Sequence, residues 1–234
     1  MLSAAVVRSL TRALAKASRT GAIQRCFSNT PRVLSVTPEL QQALGREIDE
    51  EQKLSRDNLQ GASAPTIPGF QIATNQAEVR LTKQFGSESI LVVFNVNHSV
   101  DMEEDYDDQA VQQVEPVPVA MPPFSVEITK GDQRLCFQLE ITPVEDQPDQ
   151  YDFRVEEFYV APAAKNGSED VPAEIYASSG KYIDPSLHDL LFVRYLEERG
   201  LDANFCNDLV KYATFYEHSQ YVALLDRIKK FVAK

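Results

Sequence analysis

Three histidines, His98, His188 and His218, are the side chains best suited to proton transfer or metal ligation, and their spacing favours neither. None falls in an HxH, HxxxH or HExxH pattern, so no metal centre is expected. His98 heads an acidic run and His188 lies on an expected helix; both read as ordinary surface or hydrogen-bonded residues. His218 follows Glu217, and packing or a subunit contact suits it better than catalysis. The paired acids Glu156-Glu157 and Glu197-Glu198 cannot converge as dyads. Neighbours on a strand point to opposite faces, and neighbours on a helix diverge by about 100°. The nine glycines form no GxSxG, GxGxxG or phosphate-cradling loop. No catalytic residue, cofactor or metal is therefore expected.

The densest chemistry is a charge. Asp101-Met-Glu-Glu-Asp-Tyr-Asp-Asp108 carries six carboxylates, and no Lys or Arg occurs between Lys83 and Lys130. Like charges this close cannot be buried, so residues 99–118 are expected to form an acidic loop. It lacks the DxDxDG pattern and closing Glu of a calcium loop. A polyanion attracts basic partners over about 8 Å at physiological salt. Asp101, Glu103, Glu104, Asp105, Asp107 and Asp108 are the candidate partner-binding residues. The whole chain has a net charge of −12, which argues against direct phosphate binding. Any RNA association should be indirect. The late basic cluster of Arg227, Lys229, Lys230 and Lys234 is accounted for by the C-terminus of a helix.

These residues must be positioned by recognisable elements. Thr37-Pro38 reads as a helix start, Thr as N-cap and Pro at the first position. Leu40, Leu44 and Ile48 continue at helical spacing through a helix over 37–60, with Glu47, Asp49, Glu50 and Glu51 on its wet side. From 69 to 178 the period becomes two. Strands are expected at Gly69–Thr74, Glu78–Phe85, Ser89–Asn97, Phe124–Lys130, Gln133–Thr142, Tyr151–Val160 and Ala173–Ser178. Gly131-Asp132 marks a hairpin. Short connections without intervening helices imply an antiparallel sheet. Residues 147–150 and 163–170 read as further loops.

Two helices are expected over 185–233. Asp184-Pro185 starts the first, Leu187, Leu190, Leu191 and Leu196 form its stripe, and Gly200 ends it. Asp202 caps the second, whose apolar side is marked by Phe205, Leu209, Tyr212, Tyr216, Leu224, Ile228 and Phe231. At about 1.5 Å per residue it would run roughly 45 Å. That exceeds what one such sheet can cover, so part of it should pack on another subunit.

Residues 1–38 carry Arg8, Arg12, Lys16, Arg19, Arg25 and Arg32 and no acid; the first is Glu39. An acid-free, Ser-rich stretch with an apolar side at Leu2, Val6, Leu10 and Leu14 reads as a mitochondrial transit peptide. A basic RNA-binding arm or a membrane-surface helix is the alternative. Arg25-Cys26-Phe27-Ser28 looks like a matrix-peptidase site, placing the peptide at 1–27 and one acidic α+β domain at 28–234. No stretch is apolar enough to span a bilayer. Cys26 leaves with the peptide, and Cys136 and Cys206 form neither a disulfide framework nor a zinc site.

The C-terminal segment carries a resemblance. Tyr195-Leu-Glu-Glu-Arg-Gly-Leu-Asp202, Phe205, Leu209, Tyr212, Glu217-His218, Tyr221-Val222 and Leu225-Asp-Arg-Ile-Lys-Lys-Phe-Val232 resemble the mitochondrial acidic matrix protein (mitochondrial glycoprotein) family. Phe94-Asn-Val-Asn97, followed by an acidic loop, is similar to the family's third strand. The resemblance implies a strongly twisted seven-stranded antiparallel sheet with one N-terminal and two C-terminal helices, assembled as a ring-shaped homotrimer. It also implies a non-enzymatic, chaperone-like, multi-ligand matrix protein supporting mitochondrial ribosome assembly, translation and oxidative phosphorylation. The implied partners are the chain itself and basic matrix proteins such as ribosomal proteins. Leu40, Leu44, Tyr216, Tyr221, Leu225 and Phe231 are the candidate subunit-packing residues. The alternatives are a complement-type multi-ligand receptor outside mitochondria and an enzyme with a site at a subunit interface.

Overall fold

In the third strand apolar residues alternate with partly exposed ones, and this alternation organises the whole core. The computed structural model describes residues 36–58, 64–100, 119–147, 149–164 and 171–233. Seven strands form one sheet in sequential order, each antiparallel to the next: β1 (Gln71–Asn75), β2 (Glu78–Phe85), β3 (Glu88–Asn95), β4 (Phe124–Lys130), β5 (Gln133–Pro143), β6 (Tyr151–Pro162) and β7 (Ser178–Ser179). The register places Phe94 opposite Val79 and Phe124, and Val92 opposite Leu81 and Val126. Val126 in turn faces Phe137. Because side chains alternate along a strand, these residues share one face, and all are buried.

That face is covered by helices. We label Thr37–Asn58 α1, the helical segment 185–197 α2, and Ala203–Val232 α3. Phe205 of α3 sits 5.3 Å from Phe70 and 6.2 Å from Phe124, ring centre to ring centre. Tyr212 meets Phe94 edge-on, and Phe192 of α2 meets Phe137 and Phe158 in the same way. Each such side chain contributes about 1.5–3 kcal/mol by leaving water, so the sheet and two helices form a continuous core.

Several sequence expectations shift. β1 begins two residues late because Gly69 has φ +81° and the Phe70 amide donates to the Ile67 carbonyl, closing a turn first. β3 ends at Asn95, whose side-chain oxygen accepts from the Asn97 amide. The seventh strand is not Ala173–Ser178 but the pair Ser178–Ser179, opposite Phe158 and Glu157. Ile175 donates to the Pro172 carbonyl in a turn, which occupies the residues expected to pair. At Gly180 a Cβ would lie 2.1 Å from the Val155 carbonyl oxygen, so the backbone passes β6 closely and turns into a 3-10 helix over Gly180–Tyr182.

α2 is not one regular α-helix. Pro185–His188 is α-helical, Asp189–Arg194 is π-helical and Tyr195–Glu197 is α-helical again. The wider π turn changes the phase of the side chains. Hence Leu187 and Leu190 are exposed, Leu191 is half-buried, and Phe192 and Leu196 are buried, so the expected single leucine stripe is broken. The helix end is as read: Gly200 (φ +79°) donates to the Glu197 carbonyl and Leu201 to the Leu196 carbonyl, a Schellman closure. Lys83 Nζ donates to the adjoining Arg199 carbonyl at 2.8 Å.

α1 begins at Thr37 itself, one residue before the cap reading placed it. It packs antiparallel on the later turns of α3: Gln41 Nε2 donates to the Val232 carbonyl, Gly45 lies against Lys229, and Glu51 meets His218. Leu44 and Leu225 are buried, and neither belongs to the main core. Glu47 and Glu51, read as wet, are half-buried at this seam, whereas Asp49 and Glu50 are exposed. On α3 the apolar side changes for the same reason. Phe205, Leu209 and Tyr212 are buried on the sheet, but Leu224, Ile228 and Phe231 face outward and Leu225 turns inward.

Candidate functional site

The described residues contain no group of three or more His, Cys, Asp or Glu able to hold a metal. The three histidines occupy separate settings. His98 stands exposed, with φ +55°, in the turn after β3. His188 lies 5.2 Å from Phe192, ring centre to ring centre. His218 Nδ1 lies 3.5 Å from Glu51 Oε2, while its buried Nε2 has no partner among the described residues. Burial pushes the Cys136 thiol up to about 11 and the Cys206 thiol up to about 12. Burial therefore holds both thiols protonated near neutrality.

The paired acids are tied into the surface. Glu156 holds Lys181 at 2.9 Å and also bonds Arg154, which reaches Glu140 at 2.7 Å. Hydrogen bonds from Lys181 and then Arg154 hold the Glu156 carboxyl below its usual range. Glu198 lies 3.5 Å from Arg199 Nη1, and the exposed Glu197 lines a shallow groove with Asp152, His188, Phe192 and Asp202.

The six acidic candidates, Asp101, Glu103, Glu104, Asp105, Asp107 and Asp108, lie outside the described residues, as does the expected transit peptide over 1–27. The structure does describe the two ends of the acidic tract. Val100 and Ala120 pair in an antiparallel bridge, and the Met121 amide donates to the Ser99 carbonyl at 2.9 Å. The Ala120 amide also donates to Thr214 Oγ1 of α3 at 3.0 Å. The tract therefore leaves and re-enters the fold at one place, beside the middle of α3.

The other features open to a partner are apolar. Leu187, Leu190 and Val193 on α2 are exposed, as are Leu224, Ile228 and Phe231 on α3, the last at 79%. Tyr182 is 91% exposed. Among the expected subunit-packing residues, Leu40 and Phe231 are exposed and Tyr216 and Tyr221 half-buried. Leu44 and Leu225 are buried within the single chain, which removes them from the free surface. No described helix is long and apolar enough to cross a membrane.

Sequence reasoning missed the buried ion pairs. Arg134 is fully buried and donates through Nη1 to both oxygens of Glu127 at 2.9 and 3.0 Å. Arg199 Nε binds Glu88 Oε2 at 2.8 Å, with its guanidinium over the Tyr195 ring. Strand position alone gave a weak signal for Arg134. Nothing local linked Glu88 to a residue on α2's C-terminal end.

Comparison with known proteins agrees with this architecture. The mitochondrial glycoprotein family, MAM33, matches residues 44–232. Conserved regulator of innate immunity protein 3 of Caenorhabditis elegans is 72% identical, the match covering 100% of both chains. The human mitochondrial complement component 1 Q subcomponent-binding protein is 29% identical, over 81% of this chain and 69% of its own. The mitochondrial acidic protein mam33 of Schizosaccharomyces pombe is also 29% identical, over 81% of this chain and 76% of its own. A solved Leishmania major protein, described as a sequence homologue of human p32, shares the fold with a TM-score of 0.60 at 20% identity, covering 85% of this chain and 99% of its own. The Trypanosoma brucei p22 protein superposes with a TM-score of 0.57 at 19% identity, covering 84% and 98%. The chain belongs to the mitochondrial glycoprotein (MAM33) family.

Proposed function

We propose that this chain is a non-enzymatic, acidic mitochondrial matrix protein that binds basic partners, ribosomal proteins among them, in a chaperone-like manner. Through them it supports mitochondrial ribosome assembly, translation and oxidative phosphorylation. One observation carries the reading. Six of the 23 basic residues precede the first acid, leaving 17 against all 35 acids in the remainder. A field of one sign raises the local concentration of oppositely charged partners. The basic segment supports import, with cleavage after Phe27. The human and Schizosaccharomyces pombe relatives are named as mitochondrial proteins, and the human one is named for binding another protein.

In this reading Asp101, Glu103, Glu104, Asp105, Asp107 and Asp108 form the polyanionic contact, presented beside α3 by the Ser99–Met121 and Val100–Ala120 pairings. The working state is a homotrimer. The exposed Leu187, Leu190, Val193, Ile228 and Phe231 are apolar surface that a second copy would cover, with Leu40 and Phe231 retained from the residues expected to pack between subunits. Light scattering should give three times the chain mass at micromolar concentration; a monomer would count against the trimer.

The test of the binding role is retention of basic ribosomal proteins from a matrix extract over a salt series. Wild type should retain them and release them as salt rises. The sixfold Asp→Asn and Glu→Gln variant at the acidic tract should lose most retention at low salt. Unchanged, still salt-sensitive retention would reject the tract as the contact.

A second reading is a ligand-binding role outside mitochondria, connected with immunity. The worm relative is named for innate immunity and the human one for binding a complement component, which favours the immune connection. Protease protection in isolated mitochondria separates the two: a matrix protein survives until the inner membrane is opened, and a surface protein is cut at once.

A further inference from the structure

β6 is far longer than the strand beside it, and the mismatch leaves a groove. β7 pairs only with Glu157 and Phe158, so the outer edge of β6 from Tyr151 to Glu156 has no neighbouring strand. Two amides at the start of β6 are met by side chains instead. The Tyr151 amide donates to Asn207 Oδ1 and the Phe153 amide to Asp152 Oδ1, each at 2.8 Å. α2 and the α2–α3 turn face this edge across a groove of about 200 Å³. Its floor is apolar, made by the buried Val155, Phe192 and Leu201. Its rim carries three carboxylates, Asp152, Glu197 and Asp202. The positive groups beside them are His188 and Arg154. Arg154 is already engaged, bonding Glu156 and reaching Glu140 at 2.7 Å. Glu197 makes no side-chain hydrogen bond or ion pair among the described residues.

We propose that this groove is a pocket for one arginine side chain from a basic partner, a specificity site that rests on the basic-partner reading above. The volume is below the roughly 300–1,000 Å³ of sites that enclose a whole small molecule, so a single side chain suits it better. An apolar floor under an anionic rim fits a side chain with an aliphatic stem and a cationic head. Arginine suits the rim better than lysine, because its planar fork can donate to several carboxylates at once. A second copy of the chain is the poorer occupant, since each copy brings a net charge of −12. Val193 at the groove's edge nevertheless belongs to the apolar surface assigned above to a second copy, so a subunit contact is the competing outcome. The acidic field gathers positive partners at range; the groove then distinguishes an arginine from bulk positive charge.

Amide NMR on the full chain, titrated with millimolar N-acetyl-arginine amide, tests this. Amides of 152–155 and 193–203 should shift and saturate, and the neutral isostere N-acetyl-citrulline amide should leave them in place. Glu197→Gln should weaken binding by about two- to fivefold, the range of an exposed ion pair, and Glu197→Lys should abolish it. Shifts confined to other residues, equal shifts with citrulline, or wild-type affinity in Glu197→Lys would overturn the pocket. If Glu197→Lys changes the mass by light scattering while arginine leaves the groove amides in place, the groove is a subunit contact and the proposal fails. If circular dichroism shows that Glu197→Lys does not fold, Asp152→Asn takes its place: weaker binding supports the pocket and unchanged binding rejects it. Ribosomal-protein retention by wild type decides the wider reading separately, since the arginine titration alone decides the groove.

Discussion

Glu88 and Arg199 are 111 residues apart in sequence and meet at 2.8 Å, with only 7% and 6% of their side chains exposed. The pair joins the start of β3 to the C-terminal end of α2. Arg199 Nη1 also donates to the Tyr195 carbonyl, and Lys130 approaches Glu88 at 3.4 Å. Removing one partner of a buried pair leaves the other charge buried without its principal partner. Arg199→Ala or Glu88→Ala should therefore destabilise the fold by about 3–5 kcal/mol. Denaturant unfolding at neutral pH would show this as a lower midpoint. A loss below about 1 kcal/mol would mean that water reaches the site.

The N-cap of α3 gives a smaller effect. Asp202 Oδ1 accepts from the Phe205 amide at 2.8 Å. Asp202→Ala should cost about 0.5–2 kcal/mol, while Asp202→Asn and Asp202→Ser should be nearly neutral. Thermal unfolding of the three variants at one pH would separate the cap from the charge.

Thiol chemistry reports burial. A recombinant 28–234 chain retains only Cys136 and Cys206, whose pKa values burial raises to about 11 and 12. Neither should react with an aromatic disulfide reagent at pH 8 while the protein is folded, and both should react in denaturant. Rapid release of one equivalent from the folded chain would contradict the burial.

Glu156 has a definite pH sign. Lys181 and Arg154 hold its carboxyl below the usual range, so its tie between β6 and the 3-10 helix is complete above the unfolded carboxylate pKa. The tie is lost as pH falls through the lowered folded value. Lys181→Ala removes the hydrogen bond that lowers Glu156 most and should raise its value, as read by carboxyl carbon NMR titration. An unchanged value would mean that Arg154 alone sets it.

Features governed by neighbours in sequence were legible before any coordinates. The alternation of Ile90, Val92 and Phe94, the Gly131-Asp132 hairpin, the Asp184 and Asp202 caps and the Gly200 stop each depend on a few adjacent residues. Each recurs in the structure within a residue or so. The candidate site was legible only as charge, because six acids within the eight residues 101–108 identify a polyanion but not its surroundings. The structure describes its anchoring ends, where Ala120 binds Thr214 across 94 residues of chain.

By itself the sequence determined the acidic character, the antiparallel meander and the helix limits, since composition, period and capping are local properties. Only the tertiary structure decided the phase of the helices. The π turn rotated Leu187 and Leu190 away from the sheet. The docking of α1 turned Leu225 inward, left Leu224 and Phe231 outside, and drew Glu51 from the wet side to His218. A helical period repeats every 3.6 residues, so it can define an apolar face. Which part of that face meets a partner depends on residues distant in sequence, and those contacts have no local signature.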